Sequence, residues 1–202
     1  LLQPQTVIPT KGGMKRPTEA YFSSVRLFDD LPVVHGLNGV KEKFLVALGV
    51  RKTVELGVIF ERLLDTEAVE MNGNTKKKWS HVDLIKYLAS VRDDIPAKDI
   101  ERLKSTKICT AERSDERIRY KISELFEPND SIRNLELPVI EWPGKYQPNS
   151  NEGKFLTMLG LRKYPSAPEL IQLMAKAASE DNLALQGKAM TYYLVEYHSN
   201  GY

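Results

Sequence analysis

Ser80, His81 and Asp83 bring the residue types of an acyl-transfer triad into one short stretch. A triad is a spatial arrangement, in which a base reaches a nucleophile that is usually distant in sequence. At a helix start, Ser80 and Asp83 are better used on free backbone N–H groups, and adjacent residues do not face each other. The stretch therefore reads as a capping box opening a helix over Val82–Ser90, with Leu84, Ile85 and Leu88 on its inner face. Asp29-Asp30 and Asp93-Asp94 are adjacent carboxylates. General acid–base chemistry needs two carboxyls in different environments across a cleft. Both pairs fall at element boundaries, and Asp94, just before Ile95-Pro96, reads as a helix cap. Cys109 lies in the apolar register of a strand, which makes it a small buried hydrophobe rather than a nucleophile. His35, His81 and His198 are scattered one per element. The sequence has no Gly-x-Gly-x-x-Gly, no Gly-x4-Gly-Lys-Ser/Thr, no His-Glu-x-x-His and no Cys-x-x-Cys. No catalytic residue, cofactor or metal is expected.

Phosphate binding is the second chemistry to weigh. Lys76, Lys77 and Lys78 run into Trp79, a basic–aromatic pairing that could hold single-stranded nucleic acid. A lysine run is more often a solvated face, and Trp79 then packs inward at the start of the next helix. The order Val82–Ser90, Ala97–Lys104, then a Lys107–Ile122 hairpin resembles helix, helix and wing of a winged-helix module, with Arg117 and Arg119 on the wing. DNA-binding versions are strongly basic there. Ala97–Ser105 carries a net charge of +1 and the hairpin +2. Because phosphate neutralisation dominates affinity for DNA, that surface is weak for the task. Nucleic-acid binding stands as the runner-up to protein packing.

The whole chain narrows the field further. It has 202 residues, 29 Lys+Arg against 27 Asp+Glu, a formal charge of +2 and 42% hydrophobic residues. That composition can bury a core. No apolar run approaches the ~18 residues of a membrane span, so no membrane partner is expected. A single cysteine points to a reducing compartment, cytoplasmic or nuclear. The chain opens Leu1-Leu2-Gln3, without a signal-peptide layout, and both ends read as cuts through something longer.

Self-comparison gives the organisation. Lys43–Lys52 returns as Lys154–Lys163 with seven of ten positions identical. Upstream, Leu31-Pro32-Val33-Val34 matches Leu137-Pro138-Val139-Ile140, Glu19-Ala20-Tyr21 matches Glu124-Leu125-Phe126, and Val7-Ile8 matches Ile108-Cys109. The order is kept while the offset grows, as when loops lengthen between fixed elements. The expectation is two tandem copies of a ~100-residue unit, residues 1–105 and 106–202, the second truncated at its C-terminal end.

Each unit should open with a short strand, Thr6–Pro9 or Lys107–Thr110, then turn at Lys11-Gly12-Gly13-Met14 or Arg113-Ser114-Asp115-Glu116. Ile118–Ile122 alternates as a return strand. The Leu-Pro-Val segments read as extended, since proline disfavours the helical region for the residue before it. A short helix follows, with Phe44, Leu45 and Leu48, or Phe155, Leu156 and Leu159, on one apolar face. Gly49 and Gly160 stand where a left-handed C-cap belongs, ahead of Arg51 and Arg162. Thr53 should cap Val54–Leu64, Ser166-Ala167-Pro168-Glu169 is a capping box for Leu170–Ala178, and Lys188–His198 occupies the place of Val82–Ser90. The fold class is α+β, mainly helical with short β-hairpins.

The order of these motifs is similar to that of sacsin-type repeats, carried by Ile8-Pro9-Thr10, Ser123-Glu124-Leu125-Phe126-Glu127-Pro128, Phe44–Arg51 and Phe155–Arg162. Gly49–Gly57 and Trp79–Asp94 resemble a fungal family of very large proteins whose N-terminal region is similar to a GHKL-type, heat-shock-chaperone-like ATP-binding domain. The resemblance implies a non-catalytic structural and protein-interaction segment of a chaperone-like ATPase. Its partners would be proteins or other domains of the parent chain, and ATP-site residues would lie elsewhere.

Overall fold

The fold is that of a computed structural model, which describes residues 5–25, 31–59, 80–115 and 118–198. The chain forms two compact units, Leu1–Ile95 and Pro96–Tyr202, so the helix after Pro96 belongs to the second. Among the described residues the architecture is mainly helical α+β with one small antiparallel sheet.

In the first unit, β1 (Ile8–Thr10) pairs antiparallel with β2 (Gly13–Lys15) across the Lys11-Gly12 turn. A 3-10 turn over Pro17–Glu19 delivers the chain to Tyr21. There the backbone is gripped on both sides. Tyr21 N–H donates to Pro32 O at 2.9 Å and Val34 N–H donates to Tyr21 O at 2.8 Å. On the other side Arg51 N–H donates to Ala20 O at 2.9 Å and Phe22 N–H to Arg51 O at 3.0 Å. Tyr21 thus lies between Val33 and Arg51 in parallel single-residue bridges. Helix α1 (Glu42–Leu48) leads into Arg51 through Gly49, whose φ is 105°. Ile8, Ala20, Leu45 and Val50 form the core beneath. Residues 56–59 are helical, and Leu56 and Ile59 are buried. Helix α2 (His81–Ser90) buries Val82, Leu84, Ile85 and Leu88, and its Tyr87 hydroxyl accepts the Val54 N–H at 2.8 Å.

The second unit begins with α3 (Ala97–Ser105), followed by an extended segment in which Cys109 bridges Tyr120 and Ala111 bridges Ile140. A 3-10 turn over Ile122–Glu124 delivers the chain to Phe126. Phe126 N–H donates to Pro138 O and Ile140 N–H to Phe126 O, both at 2.9 Å; Arg162 N–H donates to Leu125 O at 3.1 Å and Glu127 N–H to Arg162 O at 2.8 Å. Phe126 is bridged in parallel by Val139 and Arg162, the pattern seen at Tyr21. Helix α4 (Asp130–Asn134) lies within the loop, and α5 (Asn151–Met158) leads to Gly160, with φ 106°. Helices α6 (Ala167–Ser179) and α7 (Leu183–Tyr192) pack on each other, α7 continuing as a π-helical turn over Tyr193–Tyr197. Leu170, Ala189 and Tyr192 close over Phe126, Ile132, Leu135 and Val139.

Several expectations change. Of the Lys107–Ile122 hairpin, the described residues keep the Cys109–Tyr120 bridge; Ile118 is 48% exposed and Arg113 turns at φ 58°. Asp94 does not cap α3; Pro96 holds that position, with no side-chain cap. Ser80 caps α2 by accepting Val82 N–H at 3.1 Å, without a reciprocal bond from Asp83. Helix α7 starts five residues before Lys188, because Asn182 caps it through Leu185 N–H. Phe44 is 53% exposed, whereas Phe155 is buried. In α1 the inward positions are taken by Leu45 and, beyond the cap, Val50, and Phe44 precedes Leu45 by about 100° of helix rotation. Val54 and Glu55 are not helical, so Thr53 does not cap this helix, which starts at Leu56; residues 60–64 of the expected Val54–Leu64 span lie outside the described residues.

At φ 106° an L side chain is strained, and a Cβ on Gly160 would stand 3.3 Å from Ser123 Cβ. Gly160→Ala should therefore destabilise the chain by about 1–3 kcal/mol, read as a lower urea midpoint with an unchanged slope.

Candidate functional site

Arg51 and Arg162 make similar contacts. Arg51 pairs with Glu55 at 2.9 Å and lies 6.0 Å from the centre of the Tyr21 ring. Arg162 pairs with Glu169 through Nη1 and stacks 4.2 Å over Phe126. Both side chains are about a third exposed, 33% and 32%. Burial works to raise the Glu169 carboxyl, but hydrogen bonds from Arg162 and from Ser166 outweigh it and hold the group below its ordinary value. Glu169 also closes the capping box by accepting Ser166 N–H at 2.8 Å. One carboxylate thus fixes a helix start and an arginine together. Phe155, Leu156 and Leu159 are buried around this crossing, Leu45 is buried and Leu48 half-buried, and Gly49 and Gly160 make the turns.

A group absent from the sequence expectations lies beside Arg162. Glu127 follows the crossing residue Phe126, at the place held by Phe22 after Tyr21. It is 9% exposed. Burial pushes its carboxyl above the ordinary value, against the opposing pull of the Lys163 ammonium and the Tyr146 hydroxyl. The Tyr146 hydroxyl is itself pushed up by burial and by the Glu127 charge. Its oxygen is buried and close enough to bias the carboxyl, yet it makes no well-aligned hydrogen bond among the described residues; the same holds for Arg162 Nε. The Trp142 ring meets Tyr146 edge-on at 5.9 Å and 87°, and Lys163 Nζ lies 5.1 Å over Tyr164. Comparing Tyr21-Phe22 with Phe126-Glu127 would have found this site, since an acid replaces an aromatic where the backbone role is unchanged.

The other candidates do not assemble into a reactive site. Cys109 is fully buried and burial pushes its thiol up to about 12, so the nucleophilic thiolate is suppressed. His81 is buried at the start of α2, while the Ser80 hydroxyl is engaged by Val82 N–H. Arg119, whose charge acts on Cys109, is half-buried. Lys76, Lys77, Lys78, Trp79, Arg117 and Asp29-Asp30 lie outside the described residues. Among the described residues, no group of three or more His, Cys, Asp or Glu is placed to hold a metal ion, and no helix is long and apolar enough to cross a membrane.

A family model described as "Protein of unknown function (DUF3684)" matches residues 1–202. The chain belongs to the DUF3684 family. No curated protein and no solved structure matches it. Among the described residues of this DUF3684 chain, Glu127 stands out as a buried acid.

Two measurements follow. A carboxyl raised in the folded state stabilises below its unfolded pKa and loses that contribution as pH rises through the folded pKa. Glu127→Gln should therefore gain stability relative to the parent chain as pH moves from acid to neutral, measured as paired urea midpoints. A thiol-specific reagent should label Cys109 only as fast as the second unit opens, so labelling accelerates with urea; rapid labelling of the native chain would contradict the burial.

Proposed function

We propose that this chain is a non-catalytic structural and protein-interaction segment of a large chaperone-like ATPase, built from two tandem copies of a ~100-residue unit. What carries the reading is the pair Arg51 and Arg162. Each follows a glycine-capped helix, bonds through its backbone to the residues flanking an aromatic, and sets its guanidinium against that ring and a carboxylate. Arginines committed in this way are framework groups, not ligands waiting for an acidic substrate. The backbone bonds of Tyr21 with Val34 and of its neighbours with Arg51 resemble those of Phe126 with Ile140 and of its neighbours with Arg162, which supports the reading. A repeated framework with its polar groups turned to internal use suits a segment that holds position and presents surface. Any nucleotide hydrolysis would belong to another part of the parent protein, in a cytoplasmic or nuclear setting.

Residues 1–95 and 96–202, expressed separately, should each unfold in one cooperative transition, as expected of two compact units. Failure of either piece to fold alone would remove the tandem-unit reading. A salt titration against duplex and single-stranded oligonucleotides should show no binding at low salt; a steep salt-dependent association would favour the winged-helix nucleic-acid reading instead.

A further inference from the structure

Helices α1 and α5 match in sequence, but the loops before them differ. Nine positions separate Val34 from Lys43, and fourteen separate Ile140 from Lys154. In the second unit the longer loop is pressed against its helix. A Cβ on Gly153 would stand 2.6 Å from Pro148 O and closer still to Gln147 O, so only glycine admits that approach. The matched position in the first unit is Glu42, where a side chain leaves no room for it. The shorter loop there turns through Gly36 and Gly39, at φ 78° and 88°, and an open cleft of about 240 Å³ lies between it, Phe22 and α1. Its floor is apolar, since Phe22, Val34 and Leu37 pack against the core that holds Leu45. Its edge is polar without free charge: Glu42 is neutralised by Lys52 at 2.9 Å, and Ser23 and Asn38 offer a hydroxyl and a carboxamide that no described residue engages. About 150 Å³ holds a benzene ring, whereas drug-sized ligands and cofactors need about 300 Å³ or more. The cleft therefore fits one aromatic side chain. A neutral hydroxyl and amide suit a phenol, which both donates and accepts, better than an ion. Lys41 and Lys43 flank Glu42 in sequence, both exposed and without an ion pair among the described residues, which adds positive charge next to the cleft.

We propose that this cleft receives the phenol of a tyrosine on a protein partner, presented within an acidic segment. The ring lies across Phe22, Val34 and Leu37, its hydroxyl bonds to the Asn38 carboxamide at the edge, and the flanking carboxylates of the partner face Lys41 and Lys43. The site rests on the reading of the chain as an interaction segment and adds the chemistry of what it holds.

The test titrates the full chain into the peptide Gly-Gly-Glu-Tyr-Glu-amide, labelled with fluorescein at its amino end and followed by anisotropy at low salt. Binding should saturate with a Kd below about 1 mM. Phenylalanine in place of tyrosine should weaken it about two- to tenfold, the worth of one neutral hydrogen bond. Lysine in place of both glutamates should weaken it at least about fivefold, and less as salt is added. Asn38→Ala should cost the tyrosine peptide about what phenylalanine does, and Val40→Glu, which sets a carboxylate at the cleft, should cost more. Phe44→Ala, exposed on α1 and outside the cleft, should leave the affinity unchanged. The proposal is overturned if no binding saturates, if the tyrosine and phenylalanine peptides bind alike, or if the lysine peptide binds as tightly. It is overturned equally if Val40→Glu leaves the affinity unchanged in a chain whose melting curve shows it folded, or if a leucine peptide binds more tightly than the tyrosine one. Such a failure leaves the framework reading standing, because that is decided by the cooperative unfolding of the separate units and not by peptide binding.

Discussion

The constraint on which each unit depends is the satisfaction of backbone polar groups at one aromatic residue. Tyr21 and Phe126 are buried, so the N–H and C=O groups there need partners within the protein. Among the described residues there is no wide sheet to provide them. Two distant segments supply them instead, a Leu-Pro-Val stretch on one side and the arginine after a short helix on the other. The loops between these segments can vary in length, as the growing sequence offsets indicate, but the three backbones must still meet. Gly49 and Gly160 make that meeting possible, because the chain leaves the helix at a φ near 105° and arrives with the arginine correctly aligned.

The side chains of the same arginines then tie the crossing to the next helix. In the second unit the link is continuous: Phe126 lies under the guanidinium of Arg162, which holds Glu169, which in turn receives the N–H at the start of α6. A second arginine extends this logic to the loop. Arg133 on α4 holds Glu112 through two nitrogens at 2.7 and 2.9 Å and Asp130 at 2.7 Å, and both carboxylates raise its affinity for its proton. The units are therefore organised less by layers than by a few polar joints around a modest apolar core.

Local signals made much of this legible. The glycine caps, the Ser166–Glu169 box and the extended Leu-Pro-Val segments each depend on residues close in sequence, and the structure contains them. Helix α4 is only five residues long and carries no periodic apolar stripe; Asn129 caps it by accepting Ser131 N–H at 2.9 Å. The Phe44 exposure was equally hidden, since the motif is shared with Phe155 but the surroundings are not. The Glu127 cluster depends on Tyr146 and Lys163 arriving from segments far along the chain. No spacing rule brings them together, and only a difference between matched positions marks the place.

The prolines of the Leu-Pro-Val segments have a consequence beyond their extended geometry. Pro32 and Pro138 each accept a hydrogen bond but have no N–H to donate. An added strand therefore finds a gap where a ladder would need a donor, and the bridges beside it are only a residue long. Segments this short, and interrupted in this way, offer poor templates for the strand exchange that seeds fibrils.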